Sequence, residues 1–376
     1  MAGKAKSRKK KGRTLFGMIS ARALMLCAAL LLGASYLSIW FNPAKAWFLT
    51  IFGLLLAPFA LLNFCLLVWA LLRRSRAFVI PLLALLPAAF LLKYYYQGGE
   101  TEVQDEGDGI RIVSYNVGRF QSPARRLGID GQKECADSVF ARLRSLDADI
   151  ICLQEYYSAD PSRVGQQLSR VFPGYYIEYY VYPDSKGCYG NVTLSRYPFK
   201  SKDKIDFDKS SNLAIICDCR VGGENLRIYN CHFQSYSISL PYIATTIKGD
   251  YKEAVRYTGG KLRRSITLRP QQVDRVMESI EGSPVASIVA GDFNDTPASY
   301  TYHRLLKDRK DSFVEAGHGF GATYSIFRPF LRIDYVLFPQ EYDAVSHEVL
   351  DWRYSDHYPI MTTIKIKDKT YEKACE

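Results

Sequence analysis

The sequence predicts about three transmembrane helices followed by a four-layer α/β sandwich, in which helices flank two packed sheets. Two observations carry that expectation. Three long uncharged runs crowd the first hundred of the 376 residues, and beyond residue 110 short apolar strands alternate with amphipathic helices. The formal charge of +11 divides unevenly, with +12 in residues 1–100 and −1 in the rest. The basic pI therefore belongs to the apolar N-terminal region, and the near-neutral remainder lacks the cationic footprint of a duplex nucleic-acid binder.

The tail, residues 1–22, holds seven basic residues between Lys4 and Arg13. Uncharged runs follow at 23–41, 46–72 and 77–92, the last carried past Lys93 by the tyrosines to a segment of 77–96. Each approaches the roughly 20 residues that a bilayer core requires. The last is short and carries Pro81 and Pro87, with Tyr94, Tyr95 and Tyr96 as an interfacial belt. The first run is too long, and too soon followed by a second, to read as a cleaved leader. The Lys/Arg bias puts the N-terminus and the loop Arg73–Arg76 in the cytoplasm. Three spans then place residues 97–376 outside an inner membrane, whereas two would leave them inside. Residues 97–109, rich in Gly and acids, read as a tether, 110–367 as the folded domain and 368–376 as a tail. The nine cysteines form no CxxC and no zinc spacing.

Within the domain, strands are expected at Arg111–Tyr115, Asp149–Leu153, Asn191–Ser195, Val285–Ala290, Ile333–Phe338 and Ile360–Ile366. Leu213–Val221 and Leu226–Phe233 flank Gly222-Gly223 and read as a hairpin. Helical spacing marks Glu134–Leu146, Val164–Val171 and Arg269–Ile280.

Six polar segments sit at the ends of these strands: Ser114-Tyr115-Asn116, Leu153-Gln154-Glu155, Asn230-Cys231-His232, Gly291-Asp292-Phe293-Asn294, Arg332-Ile333-Asp334-Tyr335 and Tyr354-Ser355-Asp356-His357. Singly, each reads as a turn, a cap or a solvated side chain. Together they suit phosphate-ester hydrolysis, which needs charge neutralisation, an activated water and hydrogen-bond donors. Oxygen donors such as Glu155 and Asn116 favour Mg2+ or Mn2+ over zinc. His357 suits a base or a charge stabiliser, with Asp334 as the carboxylate on its other nitrogen.

The pairing of Gly291-Asp292-Phe293-Asn294 with Ser355-Asp356-His357, in that order, resembles the endonuclease/exonuclease/phosphatase superfamily, over about Ile110 to Ile366. That superfamily includes deoxyribonuclease I, exonuclease III, neutral sphingomyelinases and inositol-polyphosphate 5-phosphatases. The resemblance implies metal-site residues at Asn116, Glu155 and Asp356, and phosphate contact by His232. It implies a water-orienting and phosphate-binding pair in Asp292 and Asn294, and a histidine–carboxylate pair in His357 and Asp334. Asn191 and Arg269 look like weaker substrate-side positions. Where abasic-site endonucleases carry a Tyr-containing segment this chain has His232, which points away from abasic-site repair.

The substrate is expected to be a phosphate ester: a lipid headgroup, a nucleic acid or a sugar phosphate. The stretch 248–269 carries seven basic residues against two acids and reads first as a solvated loop and helix start; as a binding segment it suits single-stranded nucleic acid or anionic lipid equally. The bilayer is the other expected partner, and no protein partner is expected. The competing readings are an idle binding or scaffold module of the same fold, a nuclease within the enzyme class, and a transporter component. The apolar runs hold no acid or His that would mark an ion path.

Overall fold

The computed structural model describes residues 2–98, 109–121, 131–184, 187–236, 251–326 and 328–366, with the side chains of 2–16 and 251–255 excepted. The chain forms two compact units: residues 1–93 with 298–300, and the remainder.

The first unit is helical: α1 (Ala2–Leu37), α2 (Pro43–Leu54), α3 (Leu56–Leu72) and α4 (Val79–Leu91). Gly17–Leu37 and Arg76–Tyr94 are long and apolar enough to cross a membrane. The run expected as one span at 46–72 falls on α2 and α3, bent by 51° at Leu55, a geometry of a broken span or a re-entrant pair. Polar contacts bind the helices internally: Asn63 donates to Ala28 O at 2.9 Å, and Tyr36 Oη to Ala84 O at 2.7 Å.

The second unit contains β1 (Tyr96–Gln97), β2 (Ile110–Asn116), α5 (Gln132–Ser145), β3 (Ile150–Ser158), α6 (Val164–Val171), β4 (Tyr176–Asp184), β5 (Gly187–Ser195) and β6 (Phe199–Asp206). It continues with β7 (Leu213–Val221), β8 (Glu224–His232), α7 (Tyr251–Glu281), β9 (Ala286–Asp292), α8 (Tyr300–Leu306), β10 (Arg309–Asp311), α9 (Ser312–Ala316), β11 (Gly319–Phe320), β12 (Asp334–Pro339), β13 (Tyr342–Val349) and β14 (Ile360–Ile366).

Two six-stranded sheets, ordered β13-β14-β2-β3-β5-β4 and β10-β12-β9-β8-β7-β6, pack face to face. Each has one central parallel pair, β2 with β3 and β8 with β9, and is otherwise antiparallel. The expected sandwich is therefore the observed one. The strand period of two explains its layers. On β2, Ile110 and Ile112 enter the core between the sheets, while Val113 and Tyr115 face the outer layer with Val139, Phe140 and Leu143 of α5. On the other sheet, Ile228, Ile288 and Ala290 point inward, and Tyr229, Cys231 and Val289 pack outward against Val273, Val276 and Met277 of α7. Strands covered on both faces read as continuous apolar runs, which made them visible in the sequence.

A buried polar bridge joins the sheets at their centre. Gln154 Nε2 donates to Asn230 Oδ1 at 2.8 Å, and Asn230 Nδ2 donates to Val192 O at 2.8 Å. It lies beside Glu155 and close in sequence to His232, so it fixes the registry of both sheets beneath one edge.

Candidate active site

The topology gathers the strand-end residues. Asn116, His232 and Asp292 terminate β2, β8 and β9, and Asp334 begins β12. His232 pairs in register with Asp292 across the parallel strands, and Asp334 pairs with Asp292 across the antiparallel ones. Three neighbouring strands thus deliver three functional side chains side by side.

Two backbone features aim the remainder. Glu155 sits at φ 51° where the β3–β5 register slips between Leu153 and Tyr156. A bulge with a left-handed residue re-aims a side chain that regular pleating would send elsewhere. Asn294 is also left-handed, at φ 53°. Gly291 is obligatory: its φ is 137°, and a Cβ there would stand 1.9 Å from Cys231 O. At Gly118, φ 54°, a Cβ would come within 2.8 Å of Ser355 Oγ, so its bareness lets the 355–357 segment approach.

Asp292 is the hub. Asn116 Nδ2 donates to its Oδ2 at 2.9 Å, Asn294 Nδ2 donates to the same oxygen at 3.1 Å, and the Asn294 backbone N–H reaches Oδ1 at 2.8 Å. His357 stands with Nδ1 at 2.9 Å from Asp334 Oδ2 and Nε2 at 3.7 Å from Asp292 Oδ2. His232 Nε2 lies 3.8 Å from Asp292 Oδ2 and 3.7 Å from Glu155 Oε1, and it is buried without a hydrogen-bond partner. These gaps exceed a hydrogen bond, yet an oxygen set beside each line can approach both groups at about 2.8 Å. The separations leave His357 Nε2 and His232 Nε2 without a direct hydrogen bond to Asp292.

The electrostatics agree. Burial pushes the Asp292 carboxyl up to about 6, with Asp334 adding to the shift and His357 and His232 opposing it. Burial also raises Glu155, and Asp356 raises it further. Burial drops His232 to about 4, so at neutral pH its ring is uncharged. Burial works against the charged form of His357 too, but Asp334 and Asp292 override it and hold the imidazole well above its ordinary value.

A divalent cation fits this setting. Glu155, Asn116 and Asp356 are oxygen donors, and burial, the largest cause of the raised Glu155 and Asp292 carboxyls, makes their charged forms costly unless a cation joins them. The ligand atoms of Asp292, Asp334 and His357 also converge within 4.8 Å. In that trio, however, the His357 Nδ1–Asp334 hydrogen bond is already made, so we read it as an oriented imidazole between two carboxylates.

Of the expected residues, the contacts above join Asn116, Glu155, His232, Asp292, Asn294, Asp334 and His357. Asp356 lies beside them, its carboxylate accepting from Ser355 Oγ at 3.2 Å. Asn191 and Arg269, expected at the substrate, make contacts with protein groups, while Arg269 Nη2 is buried without a hydrogen-bond partner. Asn191 Nδ2 donates to Leu213 O and Asn230 O, both at 3.2 Å, which ties β5 to the facing sheet. Arg269 pairs with Asp295 at 2.8 Å, donates from Nε to Gln234 O at 2.8 Å and lies over the Tyr236 ring at 4.2 Å. It clamps the segment after His232 to the segment after Asp292.

Three side chains were not singled out from the sequence. Arg119, also left-handed, approaches Glu155 at 3.8 Å and Asp184 at 2.9 Å and lies 4.0 Å from the Tyr189 ring centroid. Tyr324 sets its ring edge-on to His357 at 4.9 Å. Asp295 is the buried partner of Arg269. Asp295 directly follows Asn294 and was findable. Arg119 and Tyr324 lie outside the regular strands and helices of the sheets, without a pattern of their own.

Stacked mixed sheets with this polar edge define the class, an α/β-sandwich hydrolase of phosphate esters. The chain belongs to the Endonuclease/Exonuclease/phosphatase family, whose model matches residues 113–357. A second model, a domain of unknown function (DUF8431), matches residues 18–95. The fold is similar to a solved endonuclease/exonuclease/phosphatase from Beutenbergia cavernae, at 17% identity, with 69% of this chain and 72% of that one covered and a TM-score of 0.50. A family protein from Bacteroides thetaiotaomicron matches at 15% identity, 69% and 98% coverage and a TM-score of 0.51. A mannosyl-6-phosphatase from the same species matches at 16% identity, 68% and 99% coverage and a TM-score of 0.50. No curated protein matches the chain.

Proposed function

We propose that the protein is a membrane-anchored, divalent-metal-dependent phosphate-ester hydrolase, with a helical anchor at 23–96 and a catalytic domain at 110–367. The observation that carries the reading is the contact chain Asp334–His357–Asp292–Asn116, with His232 and Glu155 alongside, at one edge of the sandwich.

Asp334 holds His357 so that Nε2 faces Asp292, and the ring contacts the phosphoryl group there. Asp292, its two oxygens oriented by Asn116 and Asn294, positions the attacking water and takes up its proton. The unpartnered His232 Nε2 donates to a phosphoryl oxygen, while the Asn294 amide, whose two N–H bonds go to Asp292 Oδ2 and Phe233 O, keeps Asp292 oriented. Glu155, Asn116 and Asp356 hold Mg2+ or Mn2+, which neutralises phosphoryl-oxygen charge when bound.

The lengths of Gly17–Leu37 and Arg76–Tyr94 support two spans, and the bent α2–α3 pair supports a third. With three, the positive-inside bias puts the catalytic domain on the outer side of an inner membrane.

The test is turnover of soluble and lipid phosphate esters by the full chain in detergent with Mg2+. His357→Ala and Asp292→Ala are each expected to reduce turnover by at least 100-fold while the protein stays folded. Near-parental turnover in either variant overturns the assignment.

A further inference from the structure

The catalytic unit buries its large apolar side chains almost completely, and the exceptions cluster. Among its described residues the exposed large hydrophobics are Tyr96, Tyr176, Tyr257, Phe320, Ile326 and Phe330. Four of these six lie on one strap, Gly319–Leu331, and on the short strand paired with it. Phe320 and Phe330 are 51% and 50% exposed, Tyr96 42% and Ile326 37%. Single exposed apolar residues are ordinary on a protein surface, but a group confined to one strap marks a contact surface.

The strap is stitched to the chemistry. Its base closes where the Thr323 and Tyr324 N–H groups donate to Leu331 O at 3.0 and 3.1 Å. Thr323 Oγ1 accepts from Asp334 N at 3.1 Å, Ser325 N donates to Asp356 O at 2.8 Å, and Tyr324 bridges to His357. At its other end the strap holds the chain where it leaves the apolar stretch: Phe320 pairs with Tyr96, their rings 5.1 Å apart, and Gly321 N donates to Tyr95 O at 3.1 Å.

Connectivity bounds the distances without further assumption. Tyr94 ends the apolar stretch, and two residues reach at most about 7 Å to Tyr96. The strand pair adds about 5 Å to Phe320, and four residues add at most about 14 Å to Tyr324, which pairs with His357 across another 5 Å or so. The catalytic histidine is therefore held within about 30 Å of the residue at which the apolar stretch ends.

We infer that the exposed apolar residues of the strap, with Tyr96, form a bilayer-contacting surface, and that the substrate is a phosphate ester whose apolar part resides in the membrane. This rests on the membrane-anchored hydrolase reading above. The bilayer is favoured as occupant because Tyr96, which pairs with Phe320, comes two residues along the chain from the end of an apolar helix of spanning length. Aromatic side chains there match the preference of amphipathic rings for the membrane–water interface.

The experiment reconstitutes the full chain in phosphatidylcholine vesicles with Mg2+. It compares methyl p-nitrophenyl phosphate, which is soluble, with hexadecyl p-nitrophenyl phosphate, which shares its leaving group and partitions into the vesicle. The variant is Phe320→Ser/Ile326→Ser/Phe330→Ser. At least a tenfold loss on the hexadecyl ester, with the methyl ester unchanged, is expected. Equal losses on both esters, or none on either, overturn the inference. If the parent cleaves neither ester, the hydrolase reading itself fails. The surface is then judged by a fluorophore on Phe330→Cys, in a background lacking Cys27, Cys65 and Cys375. Quenching by brominated lipid supports the surface, and no quenching overturns it.

Discussion

The Arg269–Asp295 pair offers a test of how the site is held. Both side chains are nearly fully buried, at 1% and 2% exposure, and the pair links the segments that follow His232 and Asp292. Arg269→Met removes the guanidinium and strands the carboxylate, with Tyr236 Oη at 2.9 Å and the Thr296 N–H at 3.1 Å as its remaining donors. Breaking one partner of a buried pair costs about 3–5 kcal/mol. For a domain of this size that corresponds to a fall of roughly 10 °C in melting temperature. In Arg269→Met/Asp295→Asn the charge is gone and the side-chain oxygen can still accept from Tyr236, so about half of the loss should return. Turnover should fall along with stability in the single variant, because Asn294 adjoins Asp295 and donates to Phe233 O at 3.0 Å across the same clamp. The assay is thermal melting of the full chain in detergent, followed by tryptophan fluorescence, with turnover on the same samples. Additive losses in the double variant, or a melting temperature for Arg269→Met within a degree of the parent, would refute the clamp.

Other outcomes follow from the same geometry. Gly291→Ala should fail to fold or melt far below the parent, since its Cβ would overlap Cys231 O at 1.9 Å; parental melting would contradict the assigned backbone. Asp334→Asn should lower kcat by about 100-fold or more with little change in KM, because it releases the His357 ring without removing a substrate contact. An unchanged kcat would count against the dyad. Burial lowers His347, hydrogen-bonded to Ser312 at 2.8 Å, to about 4. Its folded value lies below its unfolded value of about 6.5, so the stability it confers is complete above pH 6.5 and is lost as pH falls toward 4. The slope is up to about 1.4 kcal/mol per pH unit, and His347→Gln should flatten denaturation midpoints over that window. Identical pH profiles would disprove the shift.

The sequence revealed the central strands because both their faces are buried, and it revealed the site because polar residues end those apolar runs. The Gly222-Gly223 turn was legible for a similar reason: both residues sit at positive φ, as a tight hairpin requires. The edges were not legible. Phe199–Asp206 carries Lys at every second position, Lys200, Lys202 and Lys204, a composition that protects an edge strand and reads as a loop. Tyr176–Asp184 is half-buried along most of its length, which blurs its period. The helix expected from Arg269 begins at Tyr251, because Gly259 and Gly260 read as a break. The bend at Leu55 leaves no mark in hydropathy. Arg119 and Tyr324 reach the site through a left-handed turn and an irregular strap, which no period encodes.

Binding of Mn2+ to the full chain, followed by electron paramagnetic resonance and paired with turnover of a phosphate ester, tests the central claim most directly. Loss of both binding and turnover in Glu155→Gln, with binding retained in His357→Ala, is the expected result. Mn2+ binding by Glu155→Gln equal to that of the parent, or full turnover after EDTA, would contradict a cation-centred site at these strand ends.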